Sequence, residues 1–286
     1  MTITIGIVGS GFCGSATAMF ASKDNIIKAF DLVPERCSPG VTKIEDLKDC
    51  DFIMICVNTP MIKETGQCHT GIVEKVIDQC NSFIDPSFTT IVVRSTVPVG
   101  FCKSHNVVSF CEYLTEANWK GDVLNTKEWI VGLYHTPEEA TNGSKDHIKH
   151  KFDTMFTNGF PNTTKTYIQS NECEMIKHFR NCFLATKVSF CNEMYRFCEA
   201  ANVDYNVVRS LAVHDERIGA SHTLVPGPDG KFGYSLSCFP KDTASLLHQM
   251  KTKSVKSYVL KGAVDRNTLI DRADKDWEEL NGRAVV

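Results

Sequence analysis

The chain has 286 residues, 42% of them hydrophobic and 23% charged, with a formal net charge of -3. That length supports one large domain or two modest ones with substantial cores. The charge gives no reason to expect nucleic acid or an anionic membrane as partner. No apolar run approaches the roughly 20 residues a membrane span needs, and the opening MTITIGIVGSGFCGS lacks the basic stretch of a signal peptide. The 13 cysteines are scattered, odd in number and without a CxxC pair. A reducing compartment, the cytosol, is therefore expected, with neither a disulfide framework nor a metal site.

Ile3 to Val8 is a short apolar run that ends in Gly9-Ser-Gly11-Phe-Cys-Gly14 and passes into the small-residue stretch SATAMFAS. Glycines at G-x-G-x-x-G spacing between a strand and a helix provide a tight turn, close backbone approach to a pyrophosphate and close helix–strand packing. A second apolar run, Ile26 to Phe30, ends at Asp31, 20 residues after Gly11. A carboxylate there accepts hydrogen bonds from an adenosine ribose and repels a 2′-phosphate, so NAD is expected rather than NADP. Asp51 to Pro60 (DFIMICVNTP) suits a parallel strand buried on both faces. An amphipathic helix is predicted over Gly71 to Phe83, followed by strands over Thr89 to Arg94, Val107 to Phe110 and Trp129 to Leu133, with a helix after Gly100. The alternation predicts an α/β, Rossmann-like, doubly wound parallel sheet. Its strand-end loops, which carry Thr59, Thr96, Glu112 and Glu116, would converge on one crevice. Thr136 to Asn162 is polar and reads as surface helix and loop completing this first domain, residues 1–168.

The second domain, residues 169–286, is expected to be helical and built on Asn171 to Ala200, a stretch without Gly or Pro. Asn171 reads as its N-cap and Glu174 as the capping-box partner. Two apolar stripes run along it, Ile176-Phe179-Phe183 and Leu184-Val188-Cys191-Tyr195-Cys198. One stripe can pack on its own lobe; the other needs a partner, and a homodimer through this helix is expected. Lys177 and Asn181 stand one turn apart on one face. Asp204 to Val213 continues helically, His214 to Gly233 is a Gly/Pro loop containing Arg217, CFPKD opens a helix at Pro240, and Ser254 to Leu280 reads as helical.

In this order the segments GSGFCG, CVNTP, RSTVPVG, FCEYLTEAN, EMIKHFRNCFLATKVSFCNE, HDERIG and CFPKD resemble the UDP-glucose/GDP-mannose dehydrogenase family, up to about residue 265. The resemblance implies a four-electron oxidation of a nucleotide-sugar primary alcohol, as in UDP-glucose, to the uronate with two NAD. It casts Cys238 as the thiolate that captures the aldehyde and becomes a thioester. A free thiol near pKa 8.5 is mostly protonated, and Lys177, Lys241 and a helix N-terminus are the groups expected to lower it. Lys177 and Asn181 resemble the pair that holds an oxyanion or water, Asp242 the acid that works with that water, and Glu112 the base for thioester hydrolysis, with Thr96 nearby. Cofactor contacts are implied for Gly9, Gly11, Phe12, Cys13, Gly14, Asp31, Val57, Thr59, Ser95, Thr96, Glu116 and Lys241. Substrate contacts are implied for Glu112, Tyr113, Leu114, Lys177, Asn181, Gly233 and Cys238, and for Arg217 in a neighbouring subunit's site.

Three places depart from the family pattern. Family chains continue into a C-terminal α/β domain, they carry a longer helical segment where Asp31 to Asp51 is short here, and they have an aromatic and two glycines where this chain has Tyr234-Ser235-Leu236. Two other readings stay open: a two-electron hydroxyacid-type dehydrogenase, and a catalytically degenerate NAD-binding subunit.

Overall fold

The structure is a computed structural model and describes residues 1–134 and 146–286. The chain divides into two compact units, the first formed by Met1–Thr59 and Thr70–Lys177 and the second by Pro60–His69 and His178–Val286.

The first unit is built on seven strands: β1 (Ile3–Val8), β2 (Asn25–Phe30), β3 (Phe52–Ile55), β4 (Thr90–Val93), β5 (Val108–Ser109), β6 (Glu128–Leu133) and β7 (Thr164–Gln169). Helices α1 (Phe12–Ala18), α2 (Gly71–Asn81), α3 (Phe101–Ser104), α4 (Trp119–Leu124) and α5 (Asp146–Gly159) connect them. The sheet order is β2-β1-β3-β4-β5-β6-β7. Chain direction across the sheet reverses between β1 and β3, where ligands bind α/β sheets at the carboxyl edge. Strands β3 and β4 are buried at every position. Phe52 and Met54 face one core, with Phe20, Phe110, Trp129, Phe152 and Phe156. Ile53 and Ile55 face the other, with Leu47, Val73, Ile77 and Val93. This is the continuous apolar run that a two-sided parallel sheet demands.

Three sequence expectations for this unit need correction. The sheet is not wholly parallel, because β6 runs antiparallel to β5 and parallel to β7. The link from β5 to β6 carries only a 3-10 turn and the six residues of α4, so the chain doubles back instead of crossing a full helix over the sheet. β7 was not anticipated, since TKTYIQ alternates polar and apolar residues only weakly. The polar run expected as surface lies outside the described residues from 135 to 145, and beyond them α5 is a core helix. Its Ile148, Phe152, Met155 and Phe156 follow helical spacing into the aromatic core. Its Lys151 is buried as well and pairs with Asp51 at 3.1 Å.

The long helix α6 spans Ser170–Ala200 and follows β7 without a loop. Asn171 is therefore inside the helix and not its N-cap. Glu172 accepts from Gln169 N at 3.0 Å, and Glu174 bonds elsewhere. Gly132 on β6 makes the close approach possible: a Cβ there would stand 2.6 Å from Cys173 Cβ and 2.7 Å from Ser170 Cα.

The second unit contains the rest of α6, α7 (Tyr205–Ala212), α8 (Cys238–Thr252) and α9 (Tyr258–Arg266). Cys191 and Cys198 of α6 pack with Tyr205, Val225 and Phe232. In the other stripe Ile176 packs on Cys111, Ile130 and Cys173, whereas Phe179 and Phe183 are bare; Phe190 and Phe197 continue that bare face, and the four phenylalanines are 59% to 67% exposed. The tail is only partly helical. After α9 come a π turn (Asn267–Asp271) and a 3-10 turn (Asp276–Glu279). Residues 284–286 then pair with Met61 through Met61 N to Ala284 O and Val286 N to Met61 O, both 2.9 Å.

Gly132→Ala is expected to destabilise the protein by about 1–3 kcal/mol, since backbone and Cβ atoms at van der Waals limits must move. Denaturant titration checks this; an unchanged midpoint would show that the head of α6 yields freely.

Candidate dinucleotide and thiol sites

At the carboxyl edge of β1, Gly9 takes φ +92, and a Cβ there would lie 2.9 Å from Cys56 O. A Cβ on Gly14 would fall 2.0 Å from Gly9 O, so the turn closes only with glycine at that position. Around Gly11 the opposite holds, for nothing lies within 4 Å of a Cβ built there. The open side of this turn fits a pyrophosphate approaching backbone. Phe12 and Cys13 are the first residues of α1. The Cys13 thiol is held below its ordinary value, chiefly by a hydrogen bond with Cys56 and also by Arg94, while burial pushes Cys56 well up.

Asp31 follows β2 and accepts from Ser10 N at 2.6 Å and Val33 N at 2.9 Å. Each carboxylate oxygen keeps acceptor capacity for a ribose hydroxyl. The loops after β3 and β4 are tied together, because Thr59 Oγ1 donates to Thr96 O at 2.7 Å and Ser95 Oγ to Val57 O at 2.6 Å. The residues present thus fit a dinucleotide: a glycine turn with open backbone, an acid at the next strand end and bonded polar loops beside them.

Beyond β5, Glu112 Oε1 accepts from Lys177 Nζ at 2.8 Å, and its Oε2 accepts from Leu114 N at 2.8 Å. Both side chains of this pair are buried, at 3% and 7% exposure. Tyr113 donates to Cys173 O at 3.5 Å. Glu116 lies in a partly exposed 3-10 turn, Glu116–Asn118.

The second unit holds a separate cluster. Cys238 is the first residue of α8, which opens two residues before the expected Pro240, so the thiol sits on the helix N-terminus itself. One turn on, the buried Asp242 accepts from Asn181 Nδ2 at 2.6 Å and Lys241 Nζ at 2.5 Å. Burial disfavours the Lys241 charge, but Asp242, Cys238 and Cys68 together lift its pKa above the ordinary value. Lys241 therefore remains an ammonium near the thiol, where it favours a thiolate.

Two other predicted contacts stand apart from this cluster within the unit. Arg217 is 90% exposed and pairs with Asp215 at 2.5 Å. Gly233 takes φ +70 against Asn267, whose Oδ1 would be 2.3 Å from an added Cβ, and donates to Asn192 Oδ1 at 3.1 Å. Leu236 has φ +63 and is 61% exposed, so it faces solvent and not the core. Sequence reasoning missed the use made of Glu174. Its carboxylate reaches Gly100 N at 2.5 Å and Cys102 N at 2.7 Å. Its i, i+3 spacing to Lys177 was the available signal.

Fold and sites define an α/β dinucleotide-binding protein with a thiol at a helix N-terminus. The family's NAD binding domain matches residues 39–150 and its central domain residues 171–269, together well over half of the chain. The chain belongs to the UDP-glucose/GDP-mannose dehydrogenase family. It is similar to the UDP-glucose 6-dehydrogenase of Rickettsia bellii, 30% identical over 260 residues that cover 85% of this chain and 56% of that one. The chain spans about half the length of the curated relatives it matches. A solved UDP-glucose dehydrogenase from Pyrobaculum islandicum superposes with TM-score 0.78 at 21% identity, over 93% of this chain and 68% of that one. Mycobacterium tuberculosis 3-hydroxyisobutyrate dehydrogenase does so with TM-score 0.68 at 15% identity, over 93% and 92%. At these identities the two structures show the fold alone.

Glu112→Gln leaves the buried Lys177 without its counter-charge and should cost about 3 kcal/mol. The double replacement Glu112→Leu with Lys177→Met should cost less. Denaturant midpoints of Glu112→Leu, Lys177→Met and the double variant check this; additive losses of the two single changes would mean that the pair is not one energetic unit.

Proposed function

We propose that the chain is an NAD-dependent nucleotide-sugar 6-dehydrogenase acting on a UDP-glucose-type substrate. The observation that supports this best is Cys238 at the first residue of α8, one turn from an Asp242 that binds both Lys241 and Asn181. A simple alcohol dehydrogenase has no use for that thiol. Bound NAD supplies a hydride acceptor, needed once for the alcohol and once more for the captured aldehyde.

The glycine turn, Asp31 and the Val57–Thr59 and Ser95–Thr96 loops hold the dinucleotide in this reading. The Cys238 thiolate adds to the aldehyde carbon, and the oxygen becomes an oxyanion that the Lys177 ammonium and the Asn181 amide stabilise. Loss of the second hydride leaves a thioester on Cys238. Glu112 takes a proton from water as that water attacks the acyl carbon, which releases the carboxylate and returns the thiolate. Asp242 orients Asn181 and Lys241 throughout. Arg217, exposed on its loop, is proposed to reach the site of a second copy. The bare phenylalanine face of α6 is proposed as the contact between the two copies.

Counting NADH per sugar tests the chemistry. Two per substrate and an acyl adduct on Cys238 in Glu112→Gln, seen by mass spectrometry, are expected. One NADH per substrate with no adduct would give the two-electron reading, and no turnover on UDP- or GDP-sugars with NAD still bound would give the degenerate one. Cys238→Ser should abolish free acid. Asp31→Ala should narrow the preference for NAD over NADP.

Phe183→Asp with Phe190→Asp should convert a dimer into a monomer in analytical ultracentrifugation. An unchanged sedimentation coefficient would move the interface elsewhere.

A further inference from the structure

Glu174 enters none of the steps above. It is 1% exposed on the early turns of α6, yet both of its carboxylate oxygens bond outside that helix. Oε2 accepts from Gly100 N and Oε1 from Cys102 N, the amides that open α3. Gly100 takes φ +97, a conformation open to glycine, and this turns its N–H toward the carboxylate. The residues just before it are Ser95 to Val99, and Ser95 and Thr96 are bonded to Val57 and Thr59 across the dinucleotide crevice. Three residues beyond Glu174, and on the same side of α6, Lys177 holds Glu112.

We propose that Glu174 is a positioning residue for the dinucleotide crevice, a strut that fixes the Ser95–Gly100 loop to the helical turn that places Lys177. This rests on the NAD-dependent reading above.

The strut depends on charge. An ionised carboxylate accepts both amides; a protonated one carries a hydrogen on one oxygen, so one buried N–H loses its acceptor. Burial pushes the Glu174 carboxyl up to about 7, against the pull of the Cys102 and Gly100 amides. The strut is therefore made and broken within the neutral range. The titratable groups that face it are the Cys102 thiol from α3, Cys173 and Lys177 from α6, and Glu112 beyond Lys177. Burial keeps Cys102 neutral. Cys173 is held down to about 6, chiefly by its hydrogen bond with Cys111, and is the one other group of these described to change charge nearby.

Linkage gives the expected signs. A carboxyl raised from 4.5 to about 7 binds its proton more tightly in the folded chain, so stability falls as pH rises across that window. Over the same rise the strut forms and the crevice tightens. Stability and cofactor affinity should therefore move in opposite directions between pH 5 and pH 8.

The test follows NAD affinity by calorimetry and amide hydrogen exchange at Gly100 and Cys102, both from pH 5.5 to 8.5. In the unmodified protein, NAD should bind roughly tenfold more tightly above pH 7 than at pH 5.5, the loss expected of one charged hydrogen bond, and both amides should gain protection over the same range. Glu174→Gln should bind weakly with no break near 7, whereas Cys173→Ala should keep the break. Flat affinity and flat protection in the unmodified protein would overturn the strut, as would Glu174→Gln matching it at pH 8. If Glu174→Gln does not fold, exchange in the unmodified protein decides alone. Protection that rises through pH 7 without NAD binding at any pH would overturn the cofactor reading and, with it, the strut's part in cofactor binding.

Discussion

The buried contacts of Glu174 and Lys177 follow from the direct passage of β7 into α6 at Gln169–Ser170. With no loop between them, the direction of the strand sets the direction of the helix, and Gly132 lets the first turn lie against β6. The early turns of α6 then stand at known positions over the carboxyl edge of the sheet. A buried carboxylate and a buried ammonium three residues apart can be sent to separate partners, Glu174 to the head of α3 and Lys177 to Glu112. Neither charge would be tolerated in the interior unless its partner were held as firmly as the helix.

The same economy governs the thiol. Cys238 is one of 13 cysteines, most of them buried among apolar side chains where burial suppresses ionisation. It differs from those buried thiols in a helix N-terminus, a neighbouring ammonium whose charge is secured by Asp242, and partial exposure; Cys13 at the start of α1 is likewise partly exposed with Arg94 nearby, but its thiol is engaged with Cys56. The contrast with Cys182, whose thiol is pushed up by burial although it donates to Asp242 O at 3.7 Å, shows that proximity to the cluster is not enough.

Local patterns carried much of this into the sequence. The strand, glycine turn, helix, strand and acid from Ile3 to Asp31 are specified by neighbours within 30 positions and occur in the expected order, although the helix starts at Phe12 and ends at Ala18, short of the end of the SATAMFAS stretch. The long helix was legible from its length without breakers. What was not legible depends on distant contacts. Whether α5 is surface or core is decided by aromatic residues as far off as Phe20 and Phe52. The antiparallel β5–β6 pair rests on a single bridge, Ser109 with Gly132. Glu174 was assigned to its own helix because helix-start grammar is local, whereas its partners lie more than 70 positions earlier. Leu236 at φ +63 is the reverse case, since a local rule favouring glycine is broken where the side chain has solvent to occupy.

The hairpin at Pro60–His69 has a consequence for how the protein is made. It leaves the first unit between β3 and α2, packs Met61 against Trp277 and Val285, and takes its backbone partners from Ala284 and Val286. These contacts join positions more than two hundred residues apart. During synthesis the sheet around β1, β3 and β4 can assemble early, while the hairpin must wait until residues 284–286 have left the ribosome. Such non-local closure is slow compared with helix formation. The apolar faces of α8 and of the hairpin would thus be exposed together for that interval, and it is in that window that a chaperone would find this chain.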